Sequence, residues 1–288
     1  MVVKIQDALK LAVERIERTN AVTPLLDAEV LLCHVLKKER LFLYTHRNKS
    51  LSEEAFKAFE EFVEKRIAGM PVQYIVKKQE FMGLDFYVEE GVLIPRPDTE
   101  ILVEAVIKWA NNRKNDNITI VDIGTGSGAI TVSLAKYIKN AFVYSIDISR
   151  RAITIGKKNA VSNGVAEKIE FLEGDLFTPL KNKLEGKVDI LVSNPPYIPK
   201  EEIDKLQIEV KKYEPRLALD GGTDGLDFYR RIIDEAPFFV KKGGYIALEV
   251  GHDQAELVKE LMENKGLYTE INKIKDLAGI ERVVVATL

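Results

Sequence analysis

Apolar residues recur at two different spacings along this chain, and the change separates a helical first part from a strand-rich remainder. In residues 1–72 they return every three or four positions, which predicts amphipathic helices; an example is the series Ile5, Leu9, Val13 and Ile16. Ser52 is a good helix N-cap, and Gly69-Met70-Pro71 should end the helix that follows it. The pattern therefore predicts a small helical bundle packed around an apolar core.

Two short runs rich in β-branched and aromatic residues come next. Tyr74-Ile75-Val76 and Leu84-Asp85-Phe86-Tyr87-Val88 are separated near Gly83, which predicts a β-hairpin linker over residues 73–92. The segment Pro95-Arg96-Pro97 then holds the chain extended, and Asp98 or Thr99 is expected to cap the next helix.

Beyond residue 117, short apolar runs alternate with helical stretches, which is typical of an α/β fold. Helices between most of the runs predict a mostly parallel, doubly wound sheet within a domain of residues 93–288. The last two runs are joined only by residues 275–281, too few for a parallel crossover, so they should form an antiparallel hairpin. The candidate strands are Ile118–Ile123, Phe142–Asp147, Lys168–Leu172, Val188–Ser193, Tyr245–Val250, Leu267–Ile274 and Arg282–Ala286.

Composition narrows the class of protein. The chain has 288 residues, 46% hydrophobic and 30% charged, which is typical of a globular protein with a sizeable core. Its net charge of −3 argues against a general nucleic-acid binder. The single cysteine, Cys33, excludes an intramolecular disulfide, and the three histidines lack metal-ligand spacing, so no metal site is expected. No apolar stretch is long enough to cross a bilayer, and we expect a cytoplasmic protein without membrane contacts.

A glycine-rich turn follows the first candidate strand. Gly124, Thr125, Gly126, Ser127 and Gly128 form a G-x-G-x-G pattern, which differs from the G-x-G-x-x-G of dinucleotide-binding proteins. Glycines at such a turn let the backbone approach a ligand closely, and open α/β sheets bind ligands beyond the carboxyl ends of their strands. We expect these five residues to contact a nucleotide-like cofactor.

Acidic residues end the next two candidate strands. Asp147 is placed to accept hydrogen bonds from both hydroxyls of a ribose, although an Asp here could instead cap the following helix. Asp175, after the third strand, could accept a hydrogen bond from an adenine amino group, or could be an ordinary loop residue.

The fourth candidate strand ends in Asn194-Pro195-Pro196-Tyr197. The Asn194 side-chain oxygen and the Pro195 carbonyl can each accept one N–H of a substrate amide or amine, and Tyr197 can stack on the planar group. An isolated Asn-Pro pair would more often be a simple turn. Beside the glycine turn, however, these residues predict transfer of a methyl group from S-adenosylmethionine to a planar nitrogen, with Asn194 and Pro195 catalytic and Pro196 and Tyr197 also binding substrate.

At these residues the chain resembles the amino-methyltransferases, and in three further features it is similar to the release factor glutamine methyltransferases. Those features are Leu93–Glu100, Glu214–Leu219 and the N-terminal helical domain. The resemblance implies a seven-stranded, Rossmann-like class I methyltransferase sheet and N5-methylation of the glutamine in the Gly-Gly-Gln loop of bacterial class 1 peptide-chain release factors.

The same resemblance implies roles for particular residues. Gly124–Gly128, Asp147 and the residues around Asp175 would bind S-adenosyl-L-methionine, leaving S-adenosyl-L-homocysteine as product, and Asn194 would contact both cofactor and glutamine. One position departs from the pattern: the family often has Trp after the equivalent of Asp175, whereas this chain has Leu176. Either Leu176 or Phe177 would then pack on the adenine.

Three other functions fit parts of the sequence. A DNA adenine-N6 methyltransferase uses the same tetrapeptide, but it should carry a basic region for its target and flip the base out; no direct nucleic-acid partner is expected here. The other two are an NAD-dependent oxidoreductase and a non-catalytic module that binds the translation machinery.

Because residues 1–72 hold no catalytic motif, we expect them to recognise the protein substrate.

Overall fold

A computed structural model describes residues 3–19, 21–113 and 117–288 of the chain. They fall into two compact units. The smaller unit runs to Lys78 and includes Gln207–Tyr213, and the larger comprises Gln79–Leu206 and Glu214–Leu288.

The elements follow one another in the order predicted from the pattern, helices first and then alternating strands and helices. The helices are α1 (Ile5–Glu17), α2 (Pro24–Leu36), α3 (Arg40–Thr45), α4 (Glu53–Ile67), α5 (Val72–Val76), α6 (Asp98–Asn111), α7 (Ala129–Tyr137), α8 (Arg150–Ser162), α9 (Ile208–Tyr213), α10 (Asp227–Phe239) and α11 (Ala255–Lys265). The strands are β1 (Gln79–Phe81), β2 (Leu84–Phe86), β3 (Ile118–Ile123), β4 (Ala141–Asp147), β5 (Ile169–Glu173), β6 (Val188–Ser193), β7 (Val240–Glu249), β8 (Thr269–Lys275) and β9 (Glu281–Thr287).

The smaller unit is the helical bundle that the sequence predicts. Its fully buried side chains come from helices α1 to α4, among them Ile16, Leu31 and Phe59. The Ser52 hydroxyl accepts from the Ala55 N–H at 3.2 Å and so caps α4 as expected. Helix α9 joins this unit through Arg66, a buried side chain that pairs with Asp27 at 2.7 Å and with Glu209 at 2.8 Å.

Two local predictions for residues 73–99 were wrong. Tyr74-Ile75-Val76 is not a strand but most of α5, because Pro71 fixes the backbone just ahead of the helix and Tyr74 and Ile75 are buried. The hairpin is instead β1–β2, closed by the turn at Gly83. Neither Asp98 nor Thr99 caps α6 with its side chain, since the helix already begins at Asp98.

The larger unit is built on the predicted doubly wound sheet, with strand order β5-β4-β3-β6-β7-β9-β8. Strands β3 to β7 are parallel, and β9 runs antiparallel to both β7 and β8, which confirms the final hairpin. The order reverses between β3 and β6. Ile123 of β3 lies beside Ile146 of β4 and Ser193 of β6, so three strands end side by side at this switch point.

Each face of the sheet carries its own apolar core, because successive strand residues point to opposite sides. Ile120 and Ile190 face helices α6 and α7, whereas Val121 and Leu191 face α10 and α11. Strand β7 begins at Val240, earlier than predicted, because Val188 pairs with Val240 across a bulge. Within the described ranges, no helix has both the length and the apolar content needed to cross a bilayer.

Candidate active site

A cavity of about 360 Å³ opens at the switch point of the sheet. Its volume is typical of small-molecule sites, and the walls are mostly apolar with a few polar groups between them. It is lined by residues 91–93, 95–96, 123–127, 146–149, 174–176 and 193–196, together with Thr99, Ala129, Ile130, Ala152, Pro215, Leu217, Ala218, Phe228 and Arg231.

The glycine turn forms one wall of this cavity. At Gly126, which has a φ of +53°, a side chain would meet no atom within 4 Å, so the backbone itself faces open space. Gly128 is different: it does not line the cavity, and a Cβ there would lie 3.0 Å from the Cα of Gly156. Gly126 therefore leaves room for a ligand, whereas Gly128 lets helices α7 and α8 approach each other closely.

A buried polar network supports the glycine turn from below. The Asp122 carboxylate accepts from the Thr131 hydroxyl, and Ser145 joins it to Thr125, whose hydroxyl is 2.8 Å from that of Ser145. Burial raises the pKa of Asp122 to about 7. The amide of Asn159 donates to the Ser127 carbonyl at 2.8 Å, which fixes the turn from the side of α8.

Asp147 lies on the cavity wall at the end of β4, as predicted. Its two carboxylate oxygens accept from the backbone N–H groups of Gly126 at 2.9 Å and Ser149 at 2.8 Å. Burial raises the pKa of Asp147, and those two N–H groups oppose the rise. Ser149, not Asp147, is the N-cap of α8, so the alternative role of Asp147 as helix cap was wrong.

The structure separates the three residues expected around an adenine. Asp175 lines the cavity but is half exposed and pairs with Arg231 at 2.5 Å. Leu176 lines the cavity with a φ of +45°. Phe177 lies outside it, fully buried in the core and stacked on Phe239 with the ring centroids 4.9 Å apart, contrary to the expectation that its ring reaches the cofactor.

Asn194, Pro195 and Pro196 also line the cavity. The backbone oxygen of Asn194 would lie 3.7 Å from a Cβ at Gly124, so the two motifs stand next to each other as predicted. Tyr197 does not line the cavity: its ring packs against the sheet core, and burial raises its pKa to about 12. Stacking of Tyr197 on the substrate is therefore not a feature of this arrangement.

Three side chains that the sequence analysis did not place at the site contact the Asn-Pro-Pro-Tyr segment or lie beside it. Gln254 donates to the Tyr197 carbonyl at 2.8 Å, Thr99 accepts from the Asn194 amide nitrogen at 3.3 Å, and Glu249 is buried beside both Thr99 and Asn194. Glu249 carries a signal that could have been noticed, because it is an acid at the end of an apolar strand. Thr99 and Gln254 carry none.

An ion pair between the partly exposed Arg96 and the buried Glu214 joins the two segments on which the resemblance rested. Arg96 Nη2 lies 2.7 and 2.8 Å from the two carboxylate oxygens of Glu214. Burial raises the pKa of Glu214, and the guanidinium opposes the rise. The pair ties Leu93–Glu100 to Glu214–Leu219 and so fixes two stretches of the wall. In the described part of the chain, no group of three His, Cys, Asp or Glu side chains is arranged to hold a metal ion.

The sheet order, the antiparallel final hairpin and a cavity between a glycine turn and Asn-Pro-Pro-Tyr define a class I methyltransferase. The human methyltransferase 10 domain containing protein has the same fold: it is 18% identical, with a TM-score of 0.52, over 80% of this chain and 97% of its own. A methyltransferase domain family matches residues 114–282, and the PrmC N-terminal domain family matches residues 7–76.

Full-length relatives make the assignment more specific. The release factor glutamine methyltransferase of Clostridium acetobutylicum is 47% identical over 285 residues, which is 98% of each chain. That of Moorella thermoacetica is 43% identical over 282 residues, again 98% of each chain. This chain therefore belongs to the release factor glutamine methyltransferase family.

Proposed function

We propose that this protein transfers a methyl group from S-adenosylmethionine to the side-chain amide nitrogen of the glutamine in the Gly-Gly-Gln loop of bacterial class 1 release factors. The observation that carries the proposal is the position of Asn194 and Pro195 directly beside the glycine turn, in a chain that belongs to this family. Two hydrogen-bond acceptors next to a nucleotide-type site suit an NH2 group as methyl acceptor.

The cavity fits S-adenosylmethionine. Asp147 presents a carboxylate where a ribose would lie, and Gly126 leaves open space for the methionine part. Ile123, Ile146 and Leu176 supply apolar walls suited to the adenine. When bound, the cofactor would supply an electrophilic methyl group on a sulfonium centre.

The chain's own residues would position the nucleophile. An amide nitrogen is a poor nucleophile because its lone pair is delocalised into the carbonyl. If Asn194 Oδ1 and the Pro195 carbonyl each accept one N–H, they hold the nitrogen at the methyl group and favour its pyramidalisation. Positioning of this kind can lower a barrier by about 7 kcal/mol. The alkylated amide is strongly acidic and gives its proton to water or a backbone carbonyl, so the reaction needs no general base.

We propose that the smaller unit recognises the whole release factor. A cleft there is lined by residues of α1, α2 and α3, and Leu25 and Tyr44 on its wall are more than half exposed. Exposed large apolar side chains around a cleft are typical of protein-binding surfaces. The charged rim includes Lys10, Glu14 and Arg47, which would contribute orientation more than affinity.

DNA adenine methylation is the second candidate, and the relatives do not favour it. The net charge of −3 also opposes it, since a protein that flips a base out of DNA has to neutralise phosphates. The cytoplasmic location remains a prediction.

Incubation with a labelled methyl donor and purified release factor tests the proposal. We expect one label per release factor, located by peptide mass spectrometry on the glutamine of Gly-Gly-Gln. A release factor with Ala in place of that glutamine is the control and should take up no label. Label on duplex DNA, or on another residue of the release factor, would contradict the proposal.

A further inference from the structure

A buried carboxyl lies behind the substrate-binding segment and has no part in the function derived above. Glu249 ends strand β7, is 3% exposed and does not line the cavity. Its Oε2 atom is buried and makes no hydrogen bond among the described residues. The Tyr229 hydroxyl donates to the Glu249 backbone carbonyl at 2.8 Å, which fixes where this side chain starts. A buried carboxylate without a full set of partners is costly, so its retention calls for an explanation.

The neighbours of Glu249 connect it to Asn194. The Asn194 amide nitrogen donates to Thr99 Oγ1 at 3.3 Å, so the Thr99 hydroxyl acts as acceptor there and keeps its own proton to donate. Thr99 is 4% exposed, and both Thr99 and Asn194 are close enough to Glu249 to stabilise its charged form. The Glu249 carboxylate is within reach to accept the Thr99 proton.

We propose that Glu249 is a positioning residue for methyl transfer: it accepts from Thr99, and the two together hold the NH2 end of the Asn194 amide so that Oδ1 faces the cavity. This inference rests on the proposed function, which requires Asn194 Oδ1 to face the substrate; Glu249 and Thr99 would be the reason for that orientation. An Asn amide has two ends of nearly equal size, and only its hydrogen bonds decide which end faces a ligand.

The wrong orientation would prevent the reaction. A flipped Asn194 would direct its own N–H groups at the N–H groups of the substrate amide, so two donors would face each other and one acceptor would be lost. A carboxylate prevents this because it can only accept. Once protonated, Glu249 becomes a donor and competes for Thr99 Oγ1 and the Asn194 side chain.

The charge of Glu249 is set by several groups. Burial raises its pKa to about 7, Asp98 adds to the rise, and Thr99, Asn194 and Arg282 oppose it. Asp98 and Arg282 are paired with each other at 3.0 Å, and the Tyr197 and Tyr229 rings complete the surroundings. Because the carboxylate is lost as pH falls through about 7, methyl transfer should show an acid limb there.

The chain contains a matched control carboxyl. Asp122 is fully buried and, like Glu249, has one oxygen without a hydrogen bond to any described residue and a pKa raised to about 7 by burial. Its hydroxyl partners, however, are Thr131 and Ser145 beneath the glycine turn, not Thr99. Loss of Asp122 should therefore leave the acid limb in place.

The test compares Glu249→Gln with wild type and with Asp122→Asn, each as the full chain, using release factor as substrate. Glu249→Gln keeps the shape but puts a permanent donor in the site. It should lower kcat roughly tenfold or more, as expected for a lost hydrogen bond to a charged group, and abolish the acid limb near pH 7. Asp122→Asn should retain the limb. Thr99→Val should resemble Glu249→Gln, and Thr99→Ser should restore the wild-type rate and profile.

A second readout uses the variants without methyl donor. The side-chain amide signal of Asn194, observed by ¹⁵N NMR, should titrate near pH 7 in wild type and Asp122→Asn but not in Glu249→Gln. An Asn194 signal indifferent to pH in wild type, or a normal kcat and acid limb in a folded Glu249→Gln protein, would overturn the inference. Failure of the wild-type protein to methylate the release factor at all would instead contradict the proposed function.

Discussion

The two units of this protein present two different kinds of surface to a substrate. The larger unit has a cavity with polar groups at strand ends, such as Asp147 at the end of β4 and Asn194 after β6. The smaller unit has a cleft lined by exposed Leu25 and Tyr44 and by charged side chains, and its described residues include no strand ends that gather reactive groups. Catalysis needs reacting groups held in precise positions, and the ends of neighbouring strands hold side chains in this way. Recognition of a folded protein partner depends instead on a large contact surface.

Because the two surfaces differ in this way, substitutions in the two units should have different effects on methylation. Variants in the larger unit should impair methylation of any substrate, including a short Gly-Gly-Gln peptide. Variants in the cleft of the smaller unit should impair only methylation of the whole release factor. The following substitutions test that division.

The largest effect is expected for Asn194→Ala. The variant removes one of two acceptors for the substrate amide, so methyl transfer should fall by roughly 10²-fold or more on peptide and release factor alike. Fold and most cofactor affinity should remain. Single-turnover rates measure the effect, and Asn272→Ala on the exposed face of β8 is the matched control that should react normally. Wild-type speed in Asn194→Ala would end the role of Asn194.

Asn194→Asp separates shape from charge at the same position. A carboxylate still accepts from N–H, but its negative charge also attracts the positively charged sulfonium. This attraction stabilises the reactants more than the transition state, because the sulfur loses its positive charge during methyl transfer. We expect slower transfer than wild type despite the near-isosteric side chain, measured in single turnovers at saturating cofactor. A rate equal to wild type would show that charge at this position has no influence.

Asp147→Ala should have the next largest effect, and on cofactor affinity. Loss of hydrogen bonds from two ribose hydroxyls to a charged acceptor should weaken S-adenosylmethionine binding by about 1–3 kcal/mol. Isothermal calorimetry measures this directly. Asp234→Ala, which removes only an exposed pair with Lys265, should bind as wild type does. Unchanged affinity in Asp147→Ala would place the cofactor elsewhere.

The pattern of apolar residues predicted the features that depend on neighbouring residues alone, such as the bounds of the central strands. The runs Ile118–Ile123 and Val188–Ser193 are strands with those same bounds, because a central parallel strand is apolar on both faces and stops at its turn. Since parallel strands end at one edge of the sheet, the motifs that follow them were brought together as expected. Tyr74–Val76 failed because burial among helices overrode its β-propensity.

The remaining errors depended on geometry or on distant contacts. Leu176 and Phe177 are neighbours, but the positive φ at Leu176 leaves Leu176 on the cavity wall and Phe177 in the core. Nothing in the residue types reveals that backbone conformation. Glu249 and Thr99 meet Asn194 from β7 and α6, so their role depends on three segments far apart in the chain.

The smallest effect is expected for Leu25→Asp, which tests the other half of the comparison. Leu25 lies in the first turn of α2, is 52% exposed and lines the cleft, so an acid there suits the helix N-terminus but not an apolar contact. KM for whole release factor should rise about fivefold, equivalent to roughly 1 kcal/mol of contact, with kcat and peptide methylation unchanged. Leu11→Asp, on α1 at 49% exposure and outside the cleft, is the control. Equal KM values for Leu25→Asp and wild type would remove this cleft from recognition, and a matching loss on the peptide would show that the two units do not divide the work.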